Sequence, residues 1–355
     1  MFQVIIQLMG GIGLFLLGMS LMTDSLKAMA GESLRQWLAK FTGSPFNAML
    51  SGIGFTLVVQ SSTATTLATI GFVSAGVLTF AQAMGVIIGA NIGTTSTGWI
   101  VAFLGLKFSI SNFALPMIGL GAIMKLLGKD RLALVGLGVA GFGLIFFGID
   151  VLQIAMASFA ERVDLSVWSN NDISTRLILV LIGIIMTILL QSSSAAVTAT
   201  LAALASQAID LQQAMALIIG QNIGTVATAV LAAIGATTSA KRTAAVHVIF
   251  NVVTAVFAFF LLMPAVLWVI KNTEMMVVWD HTIIIAVFHT AFSLLGALIF
   301  MPFLNQLQMV IVKLLPERDS PTIRYLDDSL FTVPAVAIAT AQNSIVIVLQ
   351  ICIAW

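Results

Sequence analysis

Apolar residues run through this chain in long blocks with few polar interruptions, and the block lengths alone predict an architecture. A helix rises about 1.5 Å per residue, so about 20 apolar residues are needed to cross the hydrocarbon core of a bilayer. Seven blocks meet that length: residues 4–28, 80–104, 108–127, 132–159, 211–234, 244–270 and 283–304. Two others stop short. Residues 46–59 and 177–190 are 14 residues each before a polar break, or about 21 Å of helix. Each is followed by a second short apolar arm, 64–77 or 195–208. The pattern predicts two helical hairpins that enter a membrane, turn near its midplane and return to the side they came from.

Composition agrees. Of the 355 residues, 60% are hydrophobic and 8% charged, whereas a soluble domain carries about 25% charged residues. Lipid is therefore the expected solvent. The net charge of +1 and the absence of a basic run argue against a nucleic-acid partner. The lone Cys352 cannot form an intramolecular disulfide, and no Cys/His cluster has metal-ligand spacing. The N-terminal Met1-Phe2-Gln3-Val4 lacks the positive flank of a signal peptide, so the first block is expected to be a permanent span.

Lysines and arginines set the expected orientation. One side collects Lys27, Arg35, Lys40, Lys125, Lys129, Arg131, Lys241, Arg242, Lys313, Arg318 and Arg324; the other collects Lys107, Arg162, Arg176 and Lys271. That is 11 against 4 of the 15 present. The richer side should be cytoplasmic, with the N-terminus outside, the C-terminus inside and the protein in the plasma membrane.

The two hairpins are copies. With an offset of 131, residues 52–105 lie over 183–236 without a gap, and 21 of 54 positions are identical. Gln60-Ser61-Ser62-Thr63-Ala64 matches Gln191-Ser192-Ser193-Ser194-Ala195. Gly89-Ala90-Asn91-Ile92-Gly93-Thr94 matches Gly220-Gln221-Asn222-Ile223-Gly224-Thr225. In the preceding spans, Gly11, Gly13, Leu14 and Gly18 lie over Gly141, Gly143, Leu144 and Gly148, offset by 130. An odd number of spans, three, separates corresponding elements, so the second copy should be inverted. The expected fold is an all-α polytopic membrane protein of two inverted-topology repeats, each with a re-entrant helical hairpin and a broken transmembrane helix. Residues 1–130 form the first repeat, 131–310 the second with an additional final span, and 311–355 a cytoplasmic or interfacial segment.

A hairpin tip at mid-depth is tolerable only if it is buried or lines a cavity. At each tip, Gln-Ser-Ser stands just before a new helix, whose first turn has free N–H groups and the positive end of the helix dipole. Two such helix starts facing each other would hold a tetrahedral oxyanion. Hydroxyls of Ser61, Ser62, Thr63, Ser192, Ser193 and Ser194 can donate to it. Freed carbonyls, hydroxyl oxygens and the Gln60 and Gln191 amides can coordinate a small hard cation. Glycines around Asn91 and Asn222 permit a local helix break. No Asp, Glu, Lys or Arg lies in these four segments. An anion bound there without a fixed countercharge is costly, so co-bound cations are expected to neutralise it.

The paired Gln-Ser-Ser and Gly-x-Asn-Ile-Gly-Thr motifs resemble those of the type II sodium–phosphate cotransporter family, over residues 10–304. The resemblance implies sodium-coupled symport of inorganic phosphate by alternating access. It implies phosphate at Ser61, Ser62, Thr63, Ser192 and Ser193. Its sodium candidates are Gln60, Gln191, Ser194, Asn91, Thr94, Asn222 and Thr225. Some bacterial relatives continue into a cytoplasmic phosphate-signalling domain, so a signalling partner and self-association stay open.

Other polar residues carry weaker signals. His247 and Asn251 share a helix face, either lining the pathway or bonding between helices. Asp150 lies where Ser20 sits in the first repeat, and an intramembrane carboxylate is a functional candidate. Symport of sulfate or a dicarboxylate, phosphate sensing without transport, and an intramembrane enzyme are the alternatives. The last would need a general acid or base near the hydroxyls, and the hairpins contain none.

Overall fold

The computed structural model describes residues 1–40, 43–107, 111–162, 172–273, 279–316 and 334–353. All regular structure among them is helical. Helix α1 (Phe2–Lys40) leads into a hairpin of α2 (Pro45–Val59) and α3 (Ser62–Ser74). Next come α4 (Phe80–Trp99), α5 (Ser111–Leu127) and α6 (Asp130–Ala160). A second hairpin, α7 (Ile173–Leu190) and α8 (Ser193–Ala205), precedes α9 (Leu211–Gly224), α10 (Val226–Ala232) and α11 (Thr238–Phe257). The chain continues through α12 (Met263–Asn272), α13 (His281–Phe300), α14 (Leu304–Leu314) and α15 (Pro334–Ile353).

Local signals explain the helix starts, and the repeat preserves them. Ser44 caps α2 by accepting the Asn47 N–H, with Pro45 in the first turn. Thr79 with Gln82 forms a capping box on α4, and Asp210 with Gln213 forms its counterpart on α9. These pairs are again 131 residues apart.

Glycine sets how closely the helices meet. A methyl group at Gly89 would overlap the Met49 carbonyl, and one at Gly220 would overlap the Val180 carbonyl. Helices α2 and α4 therefore touch backbone to backbone, as do α7 and α9, the small-residue packing that membranes favour. Helices α1 and α6 run antiparallel with reciprocal contacts: Gly18 faces the Gly141 backbone, and Gly148 faces Gly11 and Phe15. Further along the pair, Ser25 Oγ donates to the Leu134 carbonyl (2.6 Å). The largest buried cluster joins Phe15 and Phe146 to Ile218, Phe288 and Phe292.

Seven helical stretches are long and apolar enough to cross a membrane, so this is a multi-pass membrane protein. Six of them fall on expected blocks, and the seventh is α7. The expected block 108–127 begins outside the described residues, and its remainder from Ser111 is α5, with Pro116 inside it. The arm expected at 177–190 begins earlier, at Ile173, because Ser174, Thr175 and Arg176 continue the helix despite their polarity. At 18 residues it reaches about 27 Å.

The two copies also differ where a helix break was expected. Helix α4 runs unbroken through Gly89 to Thr94 and becomes π-helical at Ile100–Lys107. Its glycines serve close approach to α2 rather than a break. In the second copy the helix ends at Gly224 and resumes at Val226, leaving Thr225 between them.

Candidate functional site: two capped helix starts around one cavity

Both hairpins turn in the same way. Gln60 (φ 53°, ψ 27°) and Gln191 (φ 52°, ψ 20°) adopt the left-handed conformation that closes α2 and α7. For a non-glycine residue this costs about 1–2 kcal/mol. Each glutamine offsets part of that cost by capping. Gln60 Nε2 donates to the Leu57 carbonyl and Gln191 Nε2 to the Ile188 carbonyl, both at 2.6 Å. These carbonyls belong to the last turn, where no intrahelical donor reaches them.

The next residue is an extended serine that caps the returning helix. The Ala64 N–H donates to Ser61 Oγ and the Ala195 N–H to Ser192 Oγ, both at 3.2 Å. With its lone pair used inward, each capping hydroxyl keeps its own proton for an acceptor outside the helix. The remaining first-turn N–H groups add to the positive end of each dipole.

The two tips share one cavity of about 290 Å³. Gln60, Ser61, Ser62 and Thr63 line it from the first hairpin; Gln191, Ser192, Ser193 and Ser194 line it from the second. Helix α1 completes the wall with Leu16, Met19, Ser20, Thr23, Asp24 and Lys27. Thr23 Oγ1 donates to the Val59 carbonyl (3.0 Å), tying α1 to the end of α2. The tips themselves carry no charged side chain, as the sequence indicates, yet the cavity does.

A threonine joins the hairpins on one side. Thr97 Oγ1 lies 3.1 Å from Gln60 Oε1 and 3.2 Å from Ser194 Oγ. The matching Thr228 instead lines a void of about 10 Å³ together with Thr63, Thr187, Gln191, Ser192, Ser193 and Thr225. That is room for one water-sized species. The buried Thr187 hydroxyl there has no hydrogen-bond partner among the described residues. Its counterpart Thr56 pairs with Thr65 at 2.7 Å; position 196, which matches Thr65, is alanine.

Other expected residues sit elsewhere. Asn91, Thr94 and Asn222 line neither cavity. Asn91 Nδ2 donates to the Ile87 carbonyl (3.0 Å) and Thr94 Oγ1 to the Ala90 carbonyl (2.8 Å). Asn222 Nδ2 donates to Asn251 Oδ1 (2.7 Å), and Asn251 Nδ2 to the His247 carbonyl (2.8 Å). Asn251 thus bonds α11 to α9, whereas the buried His247 Nδ1 has no hydrogen-bond partner among the described residues. Asp150 is half-buried and lines neither cavity. Sequence reasoning passed over Thr97, Thr228, Thr187 and the charged stretch of α1. Thr97 and Thr228 are identical positions in the repeat, a signal that was available.

Comparison with known proteins converges on one family. A family model described as Na+/Pi-cotransporter matches residues 14–154 and 160–297. "Uncharacterized protein YqeW" of Bacillus subtilis is 34% identical over 307 residues, covering 86% of this chain and 96% of that protein. "Putative inorganic phosphate export protein YjbB" of Escherichia coli is 27% identical over 344 residues, 96% of this chain. The chain spans 62% of that relative's length. "Sodium-dependent phosphate transport protein 2B" of Homo sapiens is 29% identical over 102 residues, 28% of this chain and 15% of that protein. No solved structure matches the chain. With its family model matched over most of its length, its apolar helices and its paired capped tips, the chain belongs to the Na+/Pi-cotransporter family, a family of membrane transporters and not of enzymes.

Proposed function

We propose that this protein is a secondary transporter that moves inorganic phosphate with sodium, holding phosphate between the two hairpin tips. The observation that carries the reading is the convergence of Ser61-Ser62-Thr63 and Ser192-Ser193 on one cavity. Two helix dipoles and several hydroxyl donors suit a tetrahedral oxyanion. Sodium would take the small void, where Thr63, Thr187, Gln191, Thr225 and Thr228 offer oxygen without charge. Its counterpart on the other side is the Gln60–Thr97–Ser194 cluster. Cations there would offset the charge of the anion in a site whose tips have none.

The reciprocal glycine contacts of α1 with α6, and the matched tips, support two inverted repeats, with residues 1–130 and 131–310 as the moving halves. The Lys/Arg count supports a cytoplasmic C-terminus.

Purified protein in liposomes with an inward sodium gradient should accumulate radiolabelled phosphate. Uptake that ignores sodium, or equal competition by sulfate, would refute the assignment. A second reading concerns direction. Relatives named for export and for sodium-dependent transport both match, so phosphate efflux driven by an outward gradient should be measured in the same vesicles.

A further inference from the structure

We propose that Asp24 and Lys27 form a charged vestibule on one face of the membrane only, Lys27 gathering the anion and Asp24 the cation before either reaches the tips. The proposal rests on the phosphate and sodium reading above and adds residues and a sidedness to it.

Helix α1 contributes Leu16, Met19, Ser20, Thr23, Asp24 and Lys27 to the cavity wall. Their spacing is i, i+3, i+4, i+7, i+8 and i+11, one continuous face of a helix. Polarity rises along that face: two apolar residues, two hydroxyls, then an acid and a base. The Thr23 bond to the Val59 carbonyl fixes the register of this stripe against the first tip. Ser20 Oγ donates to Asp24 Oδ2 (3.3 Å), which keeps the acid turned along the same face.

Among the described residues, Lys27 is the only cation lining this cavity and Asp24 the only anion. Both are exposed, hence wet and reachable by an arriving ion. Lys27 lies about 10 Å along the axis beyond Ser20, by helix rise. It is therefore placed to capture ions rather than to hold them at the tips. Fixed charges in a cleft with low-dielectric walls raise the local concentration of the opposite ion.

The repeat shows that this device has no twin. With the offset of 130, Asp24 corresponds to Ile154 and Lys27 to Ala157. The only acid on the matching face of α6 is Asp150, opposite Ser20. A pathway opening on the other face would therefore meet an apolar outer wall in place of an ion pair. Capture is predicted to be efficient from the face where α1 ends and weaker from the other.

Because acid and base are neighbours, removing either leaves the other unbalanced, which gives a signature that structural damage would not produce. Lys27→Gln should raise the KM for phosphate and lower that for sodium; Asp24→Asn should do the reverse. Each change should be about three- to tenfold at low ionic strength and shrink as salt is added. The turnover rate should hold, and Lys27→Arg should behave as wild type. Initial rates are to be measured in right-side-out and inside-out vesicles. The shifts should appear only for substrate presented on the face where α1 ends, and Ala157→Lys should lower the phosphate KM on the opposite face. Unmoved KM values in variants of an active transporter overturn the vestibule alone. So do shifts of the same sign in both variants, or equal shifts on both faces. Wild-type protein that moves no phosphate removes the reading and the vestibule together.

Discussion

The two Gln-Ser-Ser hairpins begin from nearly the same sequence and engage their surroundings differently. In the first, Gln60 is buried and meets Thr97, which also reaches Ser194 of the other hairpin. In the second, Gln191 is exposed, and Thr228 faces a small void beside the Thr187 hydroxyl, which has no hydrogen-bond partner among the described residues. Packing beside the tips diverges too. The first hairpin fills its flank with Phe55 and Phe72. The second has Met186 and Ala203 at those positions, and they line an apolar cavity of about 420 Å³. Duplication has kept the turn, the cap and the hydroxyls while relaxing the packing and the threonine bond between the hairpins.

The largest effect should come from removing what the hairpins share. Ser62→Ala and Ser193→Ala each delete a donor at a helix start. A hydrogen bond to a charged ligand contributes about 1.5–3 kcal/mol, so phosphate transport should fall by about ten- to a hundredfold. Insertion and folding should be retained, as judged by size-exclusion chromatography. Full activity in either variant would mean that the tip does not meet the anion.

The next effects should separate the hairpins. Thr228→Val removes a hydroxyl from the small void and should raise the sodium KM several-fold, by about 1 kcal/mol of lost hydrogen bonding or coordination. Thr97→Val should instead act on conformation, loosening the first tip and changing the rate of exchange between accessible faces. Equal sodium effects in both variants would show that the asymmetry has no functional weight.

Packing should follow with opposite signs. Phe72→Ala opens space in a filled flank, which costs about 3 kcal/mol by the pattern of large-to-small changes, and should lower the unfolding temperature in detergent. Ala203→Phe fills space that already exists and should raise it by a smaller amount. The smallest effect should be at the turns. Gln191→Gly exchanges a strained left-handed residue for a permissive one while losing one cap, so stability should change by less than about 1 kcal/mol. Gln60→Gly also loses Thr97 and should cost about 1 kcal/mol more.

Much of this was legible in the sequence because duplication repeats local signals. A polar triplet between two short apolar arms marks a turn, and a serine before an apolar run marks a cap. Both rules hold at Ser61 and Ser192. The helix break misread at Gly89 to Thr94 has a clear cause: glycine signals close helix contact as well as interruption, and only the neighbouring helix decides. Thr97 and Thr228 look like ordinary small packing residues until the partner hairpin stands beside them. Asp24 and Lys27 escaped for a different reason. They lie more than thirty residues before the first tip, and only the docking of α1 on the end of α2 brings them to its cavity. A site judged free of fixed charge from its motifs gained an acid and a base from packing.

The central claim is that the two tips hold one anion between them, and equilibrium phosphate binding to purified protein in sodium tests it most directly. Wild type, Ser62→Ala, Ser193→Ala and the double variant should be titrated in parallel. One phosphate per chain is predicted, weakened by either substitution and by the pair less than additively, since both donors serve the same ion. Two phosphates per chain, each lost to a different single substitution, would contradict it.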